Sequence, residues 1–474
     1  MPLILGTNSI KDTGYDVANS ARWGGTNNEY MAKTLGTPSN TKKMTWSFWT
    51  KKTRNEDDGH LATVYSDGNN YGTINFTDAN KFQVFQYISA SIQLNLITTQ
   101  VFRDNSAWSH FVIQMDTTQS TASNRCKVWH NGSRITDWAT ETYWAQNTAI
   151  KLNEASGPLK INAITTGAQY HGYVAEFIMC DGQTYQASDF GEFDSDSPTI
   201  WKPKDPSDLT FGTNGFWLDF EDSANLGNDA NGGTDLTETN FAATDQATDT
   251  PTNNFCTWNA LEYSGDVALS EGNLQGSASD NHDYHEGARG TMAVSSGKWY
   301  WEIKMVEVGD TSMVVFPGVM SADHQFRDND EDELLLGTYG MRSHDGKSVI
   351  SNGSALAYAT WGAAFVDGDI LNFALDMDNN RLYIGKGGLW SDGSGNIDES
   401  SINAYLSLST TPSAYMPMAI GYSTGADVNY QANFGSPPYA ISSGNADANG
   451  YGNFEYSVPS GFYSLCTKNL AEFG

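Results

Sequence analysis

The sequence predicts an all-β chain made of two antiparallel β-sandwiches in tandem. Three observations predict it. Short runs with period-2 alternation of apolar and polar residues recur along the chain, the pattern of half-buried strands. Aromatic residues make up 12% of the chain and there are 46 glycines, against only 17% charged residues, a balance that favours strands and turns over helices. Near the middle, a polar stretch separates two aromatic-rich halves of similar size. At 474 residues the chain has room for two sandwiches of roughly 200–250 residues each.

Taken in order, Asn19–Met31 places a Gly-Gly/Asn-Asn turn cluster between Trp23 and Tyr30. In Lys43–Thr50 (KMTWSFWT), Met44, Trp46 and Phe48 share one face, and Thr45, Ser47 and Trp49 the other. Lys42, Lys43, Lys51, Lys52 and Arg54 flank this strand; such a cluster either guards a strand edge or reads an anionic glycan. Ala62–Tyr65 and Thr73–Phe76 are short strands joined by Asp67-Gly68-Asn69-Asn70, followed by Phe82–Ile88 and Ile92–Ile97. Trp108–Asp116 turns Phe111, Ile113 and Met115 inward. Arg125–Ile135 is the clearest hairpin, because Asn131-Gly132 supplies the two positive φ values of a type I′ turn. The next loop carries Trp138, Tyr143 and Trp144. Their rings either stack on the C–H faces of a sugar, beside Asn and Asp groups that bind hydroxyls, or cap the sandwich edge. His171–Cys180 is a strand apolar on both faces apart from Glu176.

In this order the pieces resemble a laminin G-like, concanavalin A-like jelly roll. The matching residues are Thr45–Lys51 (TWSFWTK), Trp108–Phe111 (WSHF), Lys127–Gly132 (KVWHNG) and Gly172–Phe177 (GYVAEF). The resemblance covers residues 1–204 and implies a fold that hosts lectins, enzymes and structural modules alike. Glucanases of that superfamily carry E-x-D-x-x-E on one strand, which sets nucleophile and acid/base on one face. The motif is missing here, so a glycoside hydrolase is disfavoured and the chain is read as non-enzymatic, with no catalytic residues.

The middle begins with Gly215–Asp222 (GFWLDFED), whose Phe216, Leu218 and Phe220 fall on one face. Ala224–Thr252 is almost all Asn, Asp, Gly, Thr and Ala. Such a run buries too little apolar surface to offset its ordering entropy. Residues 205–254 are therefore expected to be one strand plus a polar connector between domains at 1–204 and 255–474. Asp222, Asn228, Asp229 and Asp235 offer oxygens for Ca²⁺, which takes about 6–8, although their spacing is not that of an EF-hand. The stretch GFWLDFEDSANLGNDANGGTDL, with Ala243–Phe255, resembles the central segment of a family of marine-phage virion proteins that join a laminin G-like domain to a SPRY domain.

In the second half, Asn281–Glu286 groups His282, Asp283, His285 and Glu286, a metal-capable set in a short loop. Ser296–Val308 (SGKWYWEIKMVEV) puts Trp299, Trp301, Ile303 and Met305 on one face, with Tyr300, Glu302 and Lys304 on the other. Asp328–Glu333 is an acidic run. Gly368–Ile384 (GDILNFALDMDNNRLYI) is a second hairpin, turning at Asp378–Asn380. These segments and Gln431–Gly435 (QANFG) resemble a SPRY domain, departing from it at Gly385-Lys386-Gly387-Gly388, where Asn-Gly is usual. The resemblance implies loops at one end that bind partners. Trp361, Trp390, Tyr422, Tyr439 and Tyr451 are the aromatic candidates, with Trp361 and Trp390 placed among the glycan-binding residues.

A formal charge of −30 makes nucleic acid and anionic membranes poor partners. No run is long enough to span a membrane, and MPLILGTNSIKD lacks the basic region and apolar length of a signal peptide. Cys126, Cys180, Cys256 and Cys466 have no CxxC spacing and are expected to be free thiols. The family resemblance implies a protein made in a bacterial host's cytoplasm and carried on the virion surface, on head or tail. Its expected partner is host cell-surface polysaccharide. The alternative is a head or tail decoration protein or fibre subunit that binds other virion proteins, with a homo-oligomer on the particle open in either case.

Overall fold

A computed structural model describes residues 10–24, 28–55, 58–165, 168–263, 267–278, 282–308, 314–323, 336–352, 356–411, 414–423 and 428–474. The chain divides into two compact units, one spanning Asp12–Thr252 and the other Asn253–Gly474 with Ile10 and Lys11. Among the described residues no helix is long and apolar enough to cross a membrane.

The first unit is built from β1 (Ser20–Trp23), β2 (Tyr30–Thr34), β3 (Lys43–Lys52), β4 (Gly59–Asp67), β5 (Asn70–Phe76) and β6 (Lys81–Ile88). There follow β7 (Ser91–Val101), β8 (Ser109–Asp116), β9 (Cys126–His130), β10 (Ser133–Arg134), β11 (Trp138–Thr142) and β12 (Pro158–Ile161). The last are β13 (Gly172–Asp181), β14 (Gly191–Phe193), β15 (Trp201–Pro203), β16 (Phe216–Leu218), β17 (Thr237–Thr239) and β18 (Gln246–Ala247). One sheet runs β10-β9-β8-β3-β13-β1-β18, with β16 also paired to β13; the other runs β11-β7-β6-β5-β4-β12-β2-β17. Met44, Trp46, Phe48, Phe111, Ile113 and Met115 of the first sheet meet Val64, Ile74, Phe82, Val84, Leu94 and Leu96 of the second in one core. The hairpin at Asn131-Gly132 forms as its residues require, with φ of 45° and 75°. Gly132 is needed for a second reason: a Cβ there would meet the Trp201 ring at 2.4 Å.

β13 is apolar on both faces because both are covered. The face away from the core packs on Ala187, Phe190, Phe211 and Trp201. Glu176 sits in this layer at a register shift, with φ of 49°. Tyr15 Oη donates to its Oε1 (3.3 Å) and Trp217 Nε1 to its Oε2 (3.0 Å). Burial pushes its pKa up to about 8. The acid form is thus favoured in the fold, and the stability it supports falls as pH rises from the ordinary carboxylate range towards 8. Glu176→Gln, which keeps the shape without the charge, is expected to raise stability by about 2 kcal/mol at pH 8 and by much less at pH 5. Thermal melts of both proteins at the two pH values check this; an equal gain at both would rule out the ionisation account.

The expected connector is corrected by the structure. β16, β17 and β18 pair with β13, β2 and β1, so the segment belongs to the first unit. Its few large apolar residues, Phe216, Leu218, Phe220, Leu226 and Leu236, all enter the core. Its polar residues hold the loops between them: Gln246 Nε2 donates to the carbonyls of Phe220 (2.8 Å) and Glu221 (2.9 Å), and Asp229 Oδ1 accepts from Trp217 N (3.0 Å) and Asn231 N (3.1 Å). Low apolar density misled because Phe216, Leu218, Phe220, Leu226 and Leu236 are each placed where they are buried.

The second unit is also built on two sheets, antiparallel except where Lys298–Glu307 pairs in parallel with Tyr463–Ser464. Lys298–Glu307 lies between Ile370–Asp376 and Val428–Asn433 in one of them. Trp299, Trp301, Ile303 and Met305 face the core as their alternation predicts. Tyr300 and Glu302 on the opposite face are equally buried, beneath Phe454 and Phe462. At the expected departure, Lys386 pairs with Leu389 across Gly387-Gly388, whose φ values of 64° and 78° make the same kind of turn as Asn-Gly. All four cysteines are buried and no disulfide joins them.

Candidate functional site

The outer face of the second sheet of the first unit carries a row of aromatic rings. In β6 (KFQVFQYI), Phe82 and Val84 enter the core, so Phe85 and Tyr87 point the other way. Register then aligns the neighbours. Tyr65 of β4 lies opposite Tyr71 of β5, Tyr71 opposite Tyr87, and Tyr87 opposite Ile92 of β7. Ring centroids are 5.8 Å apart for Tyr65–Tyr71, 5.9 Å for Tyr71–Tyr87 and 5.5 Å for Tyr71–Phe85. The four rings are half-buried and Ile92 is 48% exposed, so the row keeps a face to solvent. Beside it Gln83 Nε2 donates to Asn95 Oδ1 (2.8 Å). On the next rung Thr73 Oγ1 lies 2.6 Å from His60 Nδ1 and 2.9 Å from Thr63 Oγ1. Burial, then Tyr87 and Tyr65, raise the pKa of Tyr71, so its phenol stays neutral. His60, Thr63 and Thr73 are buried, so what the surface offers is apolar ring faces edged by the Gln83 and Asn95 amides, the chemistry that takes a sugar's C–H face and its hydroxyls.

A cleft of about 240 Å³ opens beside the end of β7, lined by Lys52, Phe102, Arg103, Trp108, His130 and Asn131 among others. Several of its polar groups are turned to protein partners. Lys52 Nζ donates to Asn80 Oδ1 (2.9 Å) and the Phe102 carbonyl (3.3 Å), and Asn131 Oδ1 accepts from His110 N (2.7 Å). Burial lowers the pKa of His130 to about 4, so it is neutral at pH 7. Of the basic cluster flanking β3, Lys51 and Lys52 are buried.

The predicted aromatic candidates do not converge. Trp144 is a core residue at 1% exposure, and Trp361 and Trp390 are buried at 6% and 5%. No ring face of these three is open to a sugar; they pack the sandwiches, as large rings beside strands often do. Trp138 and Tyr143 are half-buried against the first core. Tyr439 is buried beside Glu302's layer and Tyr451 is half-buried. The side chains of His282, Asp283, His285, Glu286 and Tyr422, and the run Asp328–Glu333, lie outside the described residues.

The four expected Ca²⁺ ligands work within their own loop. Asp222 Oδ1 accepts from Ala224 N (2.9 Å), Asp235 accepts from Asp229 N (3.0 Å) and Asn225 Nδ2 (2.9 Å), and Asn228 N donates to the Asn225 carbonyl (3.0 Å). Only one oxygen of this set, Asp229 Oδ2, is buried with no hydrogen-bond partner. Among the described residues no group of three or more His, Cys, Asp or Glu side chains is placed to hold an ion.

Among the described residues Ser109 Oγ lies 3.2 Å from His130 Nε2, and a closer Ser–His pair is Ser47 Oγ to His110 Nε2 at 2.8 Å. Both residues are buried, and His110 Nδ1 accepts from Trp201 Nε1 (3.0 Å), where a catalytic triad would have a carboxylate. Burial drops the His110 pKa to about 3. The pair is therefore packing, stacked between Trp49 (4.6 Å) and Trp201 (6.1 Å).

No protein-family model matches the sequence, and no curated protein matches it. The solved structures similar to it include the following three. The SPRY domain of human HERC1 is 15% identical with a TM-score of 0.29, over 37% of this chain and 96% of that one. A candidate carbohydrate-binding protein from Bacteroides ovatus is 13% identical with a TM-score of 0.31, over 48% and 59%. Domains LG4–5 of the mouse laminin alpha1 chain are 11% identical with a TM-score of 0.29, over 97% and 89%. At these identities and scores the likenesses bear on neither ligand nor activity.

Proposed function

We propose that this chain is a non-enzymatic glycan-binding protein of a phage virion surface, which holds host polysaccharide on the face of β4–β7. The aromatic row Tyr65–Tyr71–Tyr87 carries the reading, since half-exposed rings in register, edged by Gln83 and Asn95, form a stacking surface. The virion location rests on the sequence resemblance of the central segment. Binding at each site is weak, and many copies on a particle make it effective. Replacing the central ring, Tyr71→Ala, is expected to weaken binding about tenfold, or 1.4 kcal/mol, while leaving the melting temperature near that of the parent. The check is binding of labelled protein to intact host cells before and after periodate oxidation of their surface sugars. Binding that survives both oxidation and Tyr71→Ala would end the glycan reading.

A further inference from the structure

We infer that the ligand is an extended, uncharged, β-linked polysaccharide lying across the strands, one pyranose unit per strand. The inference rests on the glycan reading above and adds the class of glycan. Four residues on four adjacent strands, Tyr65, Tyr71, Tyr87 and Ile92, pair one after the other across the sheet, with a β-bulge bringing Ile92 opposite Tyr87. Strands in a sheet are about 4.8 Å apart, close to the advance of one pyranose unit in an extended, equatorially linked chain. Such a chain keeps in step with the row and lays an apolar ring face on each aromatic. An α-1,4-linked chain coils and leaves the row after one or two units. The rings are tilted by 40° and 54° to their neighbours, which suits a ribbon that twists as it advances. Beside the row lie the half-buried amides of Gln83 and Asn95, the Asp58 carboxylate acts on Tyr71, and the chain as a whole carries −30, so a polyanionic glycan is repelled.

The test uses the full chain in calorimetric titrations with β-1,4-linked gluco-oligosaccharides of two to six units, the α-1,4-linked hexamer, and polygalacturonate. Affinity is expected to climb from dimer to tetramer and then level off. The α-linked hexamer is expected to bind at least about tenfold more weakly than its β-linked counterpart, and polygalacturonate more weakly still. Tyr65→Ala, at the end of the row, is expected to bring the plateau forward by one unit. Equal affinity for both hexamers, a flat length series, or preference for the polyanion would overturn the inference. If Tyr71→Ala abolishes periodate-sensitive cell binding while the β-linked oligomers do not bind, the ligand class is wrong and the glycan reading stands. If cell binding ignores Tyr71→Ala and no glycan binds, both fall.

Discussion

Asp249→Ala is expected to lower the unfolding free energy of the first unit by about 3–5 kcal/mol, the usual cost of stranding one partner of a buried ion pair. Lys51 Nζ and Asp249 Oδ2 are 2.7 Å apart, with side chains 0% and 1% exposed. The carboxylate also accepts from Trp108 Nε1 at 2.9 Å, and the ammonium sits 5.5 Å from the Tyr173 ring centroid. Removing the carboxylate leaves a buried cation beside the Tyr173 ring and an indole N–H without its acceptor. Removing both charges should hurt less: Lys51→Met combined with Asp249→Leu is expected to recover most of the loss, because desolvation then costs nothing. Urea melts of the parent and the two variants measure this. A loss under about 1 kcal/mol in Asp249→Ala, the size of an exposed pair, would mean that residues 246–252 detach freely, as a connector would.

That segment shows where sequence reading worked and where it stopped. Alternation located the core strands, because Met44, Trp46 and Phe48 or Trp299, Trp301 and Ile303 recur at period two whatever the rest of the chain does. Turn chemistry at Asn131-Gly132 was legible because few residues tolerate two positive φ values in succession. The polar middle was misjudged because its strands have only two or three residues, and their pairing is set by distant partners in β13, β2 and β1. The aromatic row was missed for a related reason. Each strand alone shows one or two outward rings; only the register of β4, β5 and β6 brings them together. The signal that was present lay in KFQVFQYI, where Phe85 and Tyr87 have the parity opposite to Phe82 and Val84. Large rings in loops drew attention instead, and Trp144, Trp361 and Trp390 proved to be buried.

In the second unit the largest expected effect belongs to Glu302, fully buried on the face of Lys298–Glu307 away from the core. Its carboxyl accepts four hydrogen bonds: Tyr300 Oη (2.9 Å) and Tyr456 N (2.8 Å) on Oε1, Glu455 N (3.0 Å) and Asn433 Nδ2 (3.3 Å) on Oε2. One side chain thus ties two strands to the loop that covers them. Burial raises its pKa to about 7, while the four donors pull the other way. Since the folded-state pKa is raised, the net contribution of this group falls as pH climbs from the ordinary glutamate range to about 7. Glu302→Ala leaves buried donors with no acceptor and is expected to cost about 4 kcal/mol. Glu302→Gln keeps one oxygen but turns an amide N–H towards two of the donors, so it should lie between alanine and the parent. The covering loop should loosen first in the alanine variant, where proteolysis between residues 436 and 457 is expected to speed up while the first unit stays intact. A variant that melts with the parent and resists protease equally would show that the Tyr300–Phe454 packing, at 5.0 Å between ring centroids, holds this loop without the carboxylate.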